Sequence, residues 1–472
     1  MAIADHPTRT ESDLANAPVP DLRTDLPGPL ATAAIERDRR LVSPSMGRVH
    51  DLAPARAAGC VVEDLDGNRF LDLNAGIAVT ATGHCHPDVV AAIDAQCRDY
   101  LHYCSSDWYL PVYADVCERL IADAPVRGEG LRVFLGNSGT EAVEAALKLA
   151  RFHTGRQNVI AFLGAFHGRT AGSLSLTASK AHYRSGFGAH VAGVHHAPYG
   201  DFDFIEDTIF RHLSEPSDVA AIVVEPIQGE GGYLVPPDGW LAHLRAICDT
   251  HGIVFVVDEV QSGIGRTGKM WAIDHEPDVE ADILLAGKGL ASGLPLSALI
   301  ARDELHTWTA GKHGSTFGGN PVACAAARAT VDLVRSGLAD HAAAMGERFM
   351  AGLAPMLDRH RALVDVRGRG LMIGLEFTDG DTAKAVEQAA FHLGLLALTC
   401  GPAAMRLAPP LVIRPDQVDT ALALLDAAIT ATPTSIPTST PKPTVLGAQS
   451  GSPVADRAPR TGNGAGVSEV GR

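Results

Sequence analysis

The chain has 472 residues, which is too long for one ordinary hydrophobic core, so two or more domains are expected. Its formal net charge of −16 argues against nonspecific binding to nucleic acid or to anionic membranes. The eight cysteines form no C-x-x-C pair, which indicates reduced thiols in a cytoplasmic protein rather than a disulfide framework or a zinc site. The first thirty residues show no secretory signal pattern, and no apolar run is long enough to span a membrane.

The N-terminal part of the chain predicts loose structure followed by a few short elements. Residues 1–28 are polar and contain prolines, so they are expected to be disordered. A short helix is predicted over residues 30–40, and two strand-like runs around residues 66–68, Asp-Gly-Asn, predict a hairpin. His84 and His86 then lie on a loop before a helix from Pro87. Without a supporting carboxylate pattern, such a histidine pair is more often structural than metal-binding.

From residue 131 the chain alternates between strand-like and helical patterns, which predicts a parallel sheet. The strand-like runs are residues 131–135, 159–163, 220–224, 253–257, 283–286 and 296–300. A helix with one apolar face is predicted over residues 140–151. Beyond residue 340 the predicted elements are strands at 363–366 and 371–377 and a last helix at 415–430. Residues 431–472 are rich in Pro, Thr, Ser and Gly and predict a disordered tail.

Two of the buried runs end at a single charged residue each, Asp258 and Lys288. Ligands of open α/β sheets bind at the carboxyl ends of the strands, so both groups are expected at a ligand site. A carboxylate and an amine placed there suit pyridoxal phosphate, whose aldehyde needs a lysine and whose ring nitrogen needs an acidic partner. Either residue alone would more often be a helix cap or a surface amine.

A glycine motif between these two residues is a competing signal. Residues 263–268, Gly-Ile-Gly-Arg-Thr-Gly, match the dinucleotide-binding pattern and follow a strand. That pattern normally opens a helix, and no helical sequence follows here, so a nicotinamide or flavin site is disfavoured.

A phosphate site is predicted where the strand at 131–135 meets the helix at 140–151. The free N–H groups and the dipole of a helix N-terminus favour an anion. Gly139 permits close approach, and Ser138 and Thr140 carry hydroxyl donors. The alternative is an ordinary capped helix.

Several other residues become candidate site residues only if they lie near this predicted site. Phe166 could stack on a planar ring, although an aromatic residue is more often part of the core. Thr316 lies in a glycine-rich loop, and Glu225 ends the run at 220–224. A lone arginine such as Arg406 is usually a surface residue, but catalysis on an amino acid needs a guanidinium to hold a carboxylate.

These residues lie in motifs that resemble those of class III (ω-amino acid) pyridoxal-phosphate aminotransferases of fold type I. The motifs are GIAVTATGHCHP, NSGTEAVEAALKLAR, FHGRT, VVEPIQGEGG, VDEVQSGIGRTG, AGKGL and HGSTFGGNP, followed by Arg406. They occur in the family's order between residues 41 and 430. GIAV, EPIQGEGG and the final Arg-x-x-Pro-Pro resemble 4-aminobutyrate aminotransferases most closely, while acetylornithine and ornithine aminotransferases share many of the motifs.

The resemblance implies a role for each residue at the cofactor. Lys288 would form the Schiff base and shuttle protons, and Asp258 would pair with the pyridinium nitrogen. Gln261 would bond the phenolic oxygen, and Phe166 would stack on the ring. Thr316 would reach the phosphate of the neighbouring subunit. The other expected cofactor-binding residues are Ser138, Gly139, Thr140, His167 and Glu225.

The resemblance also implies how substrates bind. Ile77 would line the substrate pocket, and Arg169 and Arg406 would bind carboxylates. Glu230 would pair with Arg406 whenever the substrate has no α-carboxylate. No metal is expected.

Taken together, the resemblance implies an α/β fold whose large domain contains a mostly parallel mixed sheet covered by helices, with a smaller α+β domain built from both chain ends. The expected segments are 29–95 and 341–430 for the small domain and 96–340 for the cofactor-binding domain. The expected activity is ping-pong transfer of an amino group from an ω-amino acid to 2-oxoglutarate by a homodimer with shared sites, with pairing of dimers left open. The alternatives are an acetylornithine or ornithine aminotransferase and an amino-acid racemase; a cofactor-free binding protein would have lost the lysine.

Overall fold

A seven-stranded sheet forms the centre of the structure, a computed structural model that describes residues 11–432, with side chains from residue 13 onward. The strands are β1 Pro54–Ala58, β2 Val61–Asp64, β3 Arg69–Asp72, β4 Leu131–Gly136, β5 Asn158–Phe162, β6 Val194–Ala197, β7 Val219–Val224, β8 Val254–Asp258, β9 Ile283–Ala286, β10 Ser297–Arg302, β11 Leu363–Arg369, β12 Met372–Phe377, β13 Leu395–Leu396, β14 Leu398–Cys400 and β15 Ala404–Leu407. The helical segments are α1 Glu11–Ala15, α2 Pro29–Leu41, α3 Ala75–Ala78, α4 Pro87–Asp99, α5 Pro111–Ala122, α6 Gly139–Thr154, α7 Ala171–Leu176, α8 Trp240–His251, α9 Pro321–Leu333, α10 Ala339–Arg359, α11 Gly380–His392 and α12 Pro415–Ala431.

The central sheet has the order β4-β10-β9-β8-β7-β5-β6. Strand β10 runs antiparallel to both of its neighbours, and the remaining pairs are parallel. The predicted α/β class with a mostly parallel mixed sheet is therefore confirmed. Because β10 reverses direction between β4 and β9, the carboxyl ends of β4, β5, β7, β8 and β9 all lie at the same edge of the sheet.

Both faces of this sheet are buried, as the continuous apolar runs predicted. Successive residues of a strand point to opposite faces, and those of β7 and β8 alternate between two hydrophobic clusters. One cluster contains Ile222, Val224, Phe255 and Val257, and the other contains Ala221, Val223, Val254 and Val256. Helix α6 supplies the predicted apolar face to the second cluster and ends at Gly155, whose φ of 70° suits a glycine C-cap.

Two four-stranded sheets complete the fold, with the orders β1-β2-β3-β13 and β11-β12-β15-β14. The predicted hairpin around residues 66–68 is the β2–β3 turn, where Asp64 Oδ1 accepts hydrogen bonds from the N–H groups of Asp66 and Asn68 at 2.9 and 2.8 Å. Strand β13 pairs with β3 in parallel, so the two ends of the described chain meet in one sheet. The expected domain boundaries at 95/96 and 340/341 stay a prediction, because the described residues belong to one unit.

The N-terminal segment differs from the expectation of disorder over residues 1–28. Residues 11–28 are folded: Leu14 is buried against Val61, and Asp21 exchanges two backbone hydrogen bonds with Arg69. A few apolar residues with a sheet edge to bind are enough to order a segment whose composition alone indicates disorder. Residues 1–10, and most of the tail predicted at 431–472, lie outside the described residues; α12 extends to Ala431.

The two motifs that suggested other ligands have structural roles. His84 Nε2 lies 2.8 Å from Asp72 Oδ2, and His86 accepts a hydrogen bond from the Asp88 N–H at the start of α4. The glycine motif at 263–268 forms turns, and Arg266 within it donates to the carbonyl oxygens of Leu371 and Pro409. In residues 11–432, no helix is long and apolar enough to cross a membrane.

Candidate active site

One cavity lies at the sheet edge where the parallel strands end. Its volume is about 280 Å³, and it is lined by Ser138, Gly139, Thr140, Phe166, His167, Gly168, Arg169, Glu225, Asp258, Val260, Gln261 and Lys288. Most of the residues predicted to bind the cofactor are therefore brought together. Val260 and Gly168 were not predicted. Gly168 has a φ of 133°, and a Cβ there would approach Thr140 Oγ1 to 2.4 Å, so this position of the FHGRT motif requires glycine.

Asp258, the last residue of β8, is held by two hydrogen bonds. Its Oδ2 lies 2.7 Å from His167 Nδ1, and its Oδ1 accepts from the Val260 N–H at 3.0 Å. Burial opposes protonation of His167, but the hydrogen bond and the charge of Asp258 outweigh burial and raise the pKa of His167 above its ordinary value. The pair can therefore keep a negative carboxylate fixed inside the protein.

Lys288 follows β9, and its backbone has a φ of 40°, in the left-handed region that favours glycine. Within residues 11–432 its amine makes no hydrogen bond and no ion pair. Burial is the main cause that lowers the pKa of Lys288 to about 8, and the charge of Arg406 adds to it. A lysine with this pKa is partly a free amine near neutral pH and can attack an aldehyde.

The start of α6 provides the expected anion site, although its hydroxyl groups are already engaged. Ser138 Oγ donates to Glu141 at 2.9 Å, and Thr140 Oγ1 lies 2.6 Å from the hydroxyls of both Thr170 and Ser173. The first N–H groups of a helix have no intrahelical acceptor, so the amides of Gly139 and Thr140 are the donors best placed for an anion.

Three further residues of the cavity have distinct environments. Glu225 accepts hydrogen bonds from the N–H groups of Phe166 and Gly229, both at 3.1 Å, and so ties two loops together. Burial raises the pKa of Glu225 to about 7. The ring of Phe166 is partly exposed to the cavity, and Gln261 Oε1 is buried without a hydrogen-bond partner in the described chain.

The two arginines predicted to bind carboxylates differ in their partners. Arg406 on β15 is buried and forms an ion pair with Glu230. Burial alone would raise the pKa of Glu230, but Arg406 lowers it, with smaller contributions from Lys288 and Lys180. Arg169 is exposed and has no ion pair or hydrogen bond within the described residues; its guanidinium carbon lies 4.8 Å from the centre of the Phe166 ring.

Ile77 lies in a left-handed turn that the sequence predicted only as a loop. All four residues of α3 have positive φ angles, and Ile77 has a φ of 68° with 40% of its surface exposed. A β-branched residue rarely adopts this conformation, and such strain is concentrated at functional sites.

Four predicted residues do not line the cavity itself: Ile77, Glu230, Arg406 and Thr316. Thr316 is exposed on a loop whose neighbouring Ser315 accepts a hydrogen bond from Asn137 Nδ2 at 3.3 Å. The loop thus lies beside the start of α6, but Thr316 itself does not reach the cavity of its own chain.

Pyridoxal phosphate fits the donor set of this cavity. Its aldehyde matches the amine of lowered pKa, and its ring nitrogen matches the carboxylate that a histidine fixes. Its phosphate matches the amides at the start of a helix. Fold and site are those of a fold type I enzyme that depends on pyridoxal phosphate. Comparison with known proteins gives the family: the model for class-III aminotransferases matches residues 42–429, and the chain belongs to this family.

Relatives within the family carry different names. The chain is 45% identical over 375 residues to an acetylornithine aminotransferase of Methanopyrus kandleri, covering 79% of this chain and 93% of the relative. It is 38% identical over 439 residues to a 4-aminobutyrate aminotransferase of Mycobacterium bovis, covering 86% and 97%. Among solved structures, the ornithine aminotransferase of Toxoplasma gondii is 31% identical with a TM-score of 0.79, covering 87% and 96%.

Proposed function

We propose that this aminotransferase moves an amino group from an ω-amino acid, such as 4-aminobutyrate, to 2-oxoglutarate by a ping-pong route. The observation that supports this most directly is the buried ion pair between Arg406 and Glu230. An ω-amine has no carboxylate on its reacting carbon, whereas glutamate has one. A bare buried guanidinium would suit only glutamate, because an unpaired charge in a cleft is costly.

In this proposal the ion pair acts as a switch. Glu230 neutralises Arg406 while the ω-amino acid reacts, and it moves away when 2-oxoglutarate presents its α-carboxylate. Arg169, which has no ion pair or hydrogen bond within residues 11–432, holds the distal carboxylate in both half-reactions.

The remaining residues are proposed to bind the cofactor, which supplies an aldehyde and an electron sink. Lys288 Nζ attaches the cofactor and later takes and returns a proton. The carboxylate of Asp258, fixed by His167, holds a proton on the ring nitrogen, and the amides of Gly139 and Thr140 bind the phosphate.

Side-chain contacts to the cofactor ring and to its phenolic oxygen complete the proposed site. Phe166, which lines the cavity, would stack on the ring, and Gln261, which also lines it, would bond the phenolic oxygen. Glu225 orients these groups by holding the loops at 166 and 229.

The proposed active unit is a homodimer in the cytoplasm. Thr316 is exposed in its own chain, so it is free to reach the phosphate in the other subunit, and a two-fold axis would complete both sites equally. Residues 11–432 contain no disulfide, which supports a reducing compartment.

Acetylornithine aminotransferase is the second candidate, favoured by the relative at 45% identity. Glutamate formation from 2-oxoglutarate, measured with 4-aminobutyrate, acetylornithine and ornithine as donors, separates the two. The proposal expects the highest kcat/KM for 4-aminobutyrate. A higher kcat/KM for acetylornithine would replace it with the second candidate.

A further inference from the structure

Two arginines lie in one row across the sheet β11-β12-β15-β14. Gly374 on β12 is the register partner of Arg367 on β11 and of Arg406 on β15. Residues directly opposite each other in an antiparallel sheet project their side chains from the same face. Arg367 and Arg406 therefore project from one face of the sheet, on either side of a glycine.

The loop that carries Glu230 packs on this glycine. Residues 229–233, which we call the Glu230 loop, approach so closely that a Cβ at Gly374 would lie 3.0 Å from the Gly232 carbonyl oxygen and 3.1 Å from Tyr233 Cβ. Glycine at position 374 thus leaves the space that the loop occupies. The loop therefore sits between the two arginines.

The two arginines hold different parts of the Glu230 loop. Arg406 pairs with the carboxylate of Glu230. Arg367 donates from Nε and Nη2 to the carbonyl oxygen of Gly232, at 3.1 and 2.7 Å. The Gly401 N–H donates to the carbonyl oxygen of Glu230 at 2.9 Å and adds a second backbone contact. One arginine thus binds the side chain that the proposed switch moves, and the other binds the backbone.

Arg367 is itself fixed by acidic neighbours on β11 and β12. Its Nη1 donates to Asp365 at 2.8 Å, and its Nη2 donates to Glu376 at 2.5 Å. Every nitrogen of the guanidinium therefore has an acceptor, and two carboxylates balance its charge. Such an arginine is suited to hold a backbone carbonyl rather than to attract the Glu230 carboxylate or a substrate.

We infer that Arg367 is a positioning residue for substrate selection: it anchors the backbone of the Glu230 loop, so that Glu230 leaves and rejoins Arg406 by moving its side chain alone. The inference rests on the proposed function, in which Glu230 pairs with Arg406 unless an α-carboxylate is present. A fixed backbone lowers the entropic cost of forming the ion pair, because only the side chain of Glu230 has to be ordered. The anchor therefore stabilises the paired state and sets how strongly an α-carboxylate has to compete for Arg406.

The test measures binding of two unreactive acids to the holoenzyme by calorimetry. Glutarate and pentanoate have the same chain length, but only glutarate has a second carboxylate that can replace Glu230 at Arg406. Arg367→Leu is expected to bind glutarate about fivefold more tightly, because the weakened ion pair is displaced at lower cost. Binding of pentanoate should stay unchanged. A merely structural loss would weaken binding of both acids, so tighter binding of glutarate alone identifies the anchor.

Two further variants disturb the same contact in other ways. Arg367→Lys keeps the positive charge but has a single nitrogen, so it cannot keep both hydrogen bonds to the Gly232 carbonyl. Gly374→Ala keeps Arg367 and places a methyl group against the Glu230 loop. Both are expected to tighten glutarate binding by about two- to fivefold and to leave pentanoate binding unchanged. These variants also decide the question if Arg367→Leu does not fold.

Arg369 on the same strand provides the matched control. Its Nη2 lies 3.9 Å from Asp238 Oδ1, and Asp238 is outside the Glu230 loop. Arg369→Leu removes the same side chain and charge further along β11, and it is expected to leave binding of both acids unchanged. The inference is overturned if Arg367→Leu and Arg367→Lys bind glutarate no more tightly than the wild type does, or if Arg369→Leu tightens its binding equally.

Glu230→Gln separates failure of this inference from failure of the proposed function. Glutamine cannot form the ion pair, so glutarate should bind more tightly in this variant if Glu230 competes for Arg406. If Glu230→Gln tightens glutarate binding but the Arg367 variants do not, the switch stands and the anchor is overturned. If Glu230→Gln binds glutarate as the wild type does, the switch and the anchor are both overturned. If 4-aminobutyrate is not a donor while the variants at both positions tighten glutarate binding, the anchor stands and only the donor changes.

Discussion

His167 Nδ1 and Asp258 Oδ2 lie 2.7 Å apart at the sheet edge, and the two side chains are 0% and 4% exposed. The contact joins a loop after β5 to the end of β8, residues 91 positions apart in the chain. Because His167 is kept charged or strongly hydrogen-bonded by this contact, the Asp258 carboxylate is fixed in place before any ligand binds.

The first prediction concerns Asp258. Asp258→Asn removes the negative charge but keeps the size of the side chain, so the fold should persist. The activation free energy for proton removal from the bound substrate should rise by about 3 kcal/mol or more, so the rate should fall. This is the scale of fixed electrostatic contributions in enzymes. Single-turnover absorbance of the cofactor measures this rate. A wild-type rate in Asp258→Asn would reject the role at the ring nitrogen.

Lys288 should titrate near pH 8 in the cofactor-free enzyme. Its pKa is lowered to about 8, so the amine is mostly protonated below about pH 8 and mostly a free nucleophile above that pH. Competitive acetylation read by mass spectrometry gives the midpoint of the Lys288 amine, which is compared with the ordinary lysine pKa of about 10.4. A midpoint at the ordinary lysine value would show that the environment of Lys288 does not favour the neutral amine.

Ile77 should tolerate glycine better than an ordinary surface residue does. The left-handed conformation costs about 1–2 kcal/mol for a residue with a side chain, and Ile77→Gly removes this cost. The gain offsets the loss of the side chain and the greater flexibility of the unfolded chain. The matched control is Val42, which is also 40% exposed but has a φ of −95°. Chemical denaturation should show Val42→Gly destabilised and Ile77→Gly near wild type, while KM for the donor rises only in Ile77→Gly. Equal destabilisation would mean that the turn is not strained.

The shared site is tested by mixing two inactive variants. A dimer of one Thr316→Ala chain and one Lys288→Ala chain has one site with both residues intact. Activity should therefore reappear after the chains exchange, up to about half of the wild-type activity per dimer for a heterodimer. A fully active monomer, or exchanged heterodimers that stay inactive, would refute the sharing of Thr316.

The sequence predicted the site best where local pattern and topology agree. Continuous apolar runs ending at Asp258 and Lys288 predict buried parallel strands, and parallel strands bring their carboxyl ends to one edge. That reasoning needs no side-chain geometry, and the structure places both residues in one cavity. The helix at 140–151 was also predictable, because its apolar periodicity and its glycine-rich start are local features.

Contacts set by tertiary packing were not predictable in the same way. The hydrogen bond from His167 to Asp258 and the ring of Tyr183 against Arg169 depend on how loops meet across the sheet edge. The left-handed turn at Ile77 contradicts the backbone preference of a β-branched residue, so no local signal predicts it. The order of residues 11–28 likewise comes from burial of Leu14 on a sheet rather than from composition.

The proposed switch between Arg406 and Glu230 should affect the two half-reactions differently. Arg406→Ala should raise the activation free energy of the 2-oxoglutarate half-reaction by ~2–5 kcal/mol. This is the cost of truncating one partner of a buried charge pair. The 4-aminobutyrate half-reaction should be affected much less, since Arg406 is neutralised there. Arg169→Ala should slow both halves, because the distal carboxylate is present in both substrates.

Single-turnover absorbance of the holoenzyme, followed with each substrate alone, is the most direct measurement of this asymmetry. Arg406→Ala is expected to show a large loss with 2-oxoglutarate and a small loss with 4-aminobutyrate. Equal losses in the two half-reactions would contradict the switch and indicate an enzyme whose donors all carry an α-carboxylate.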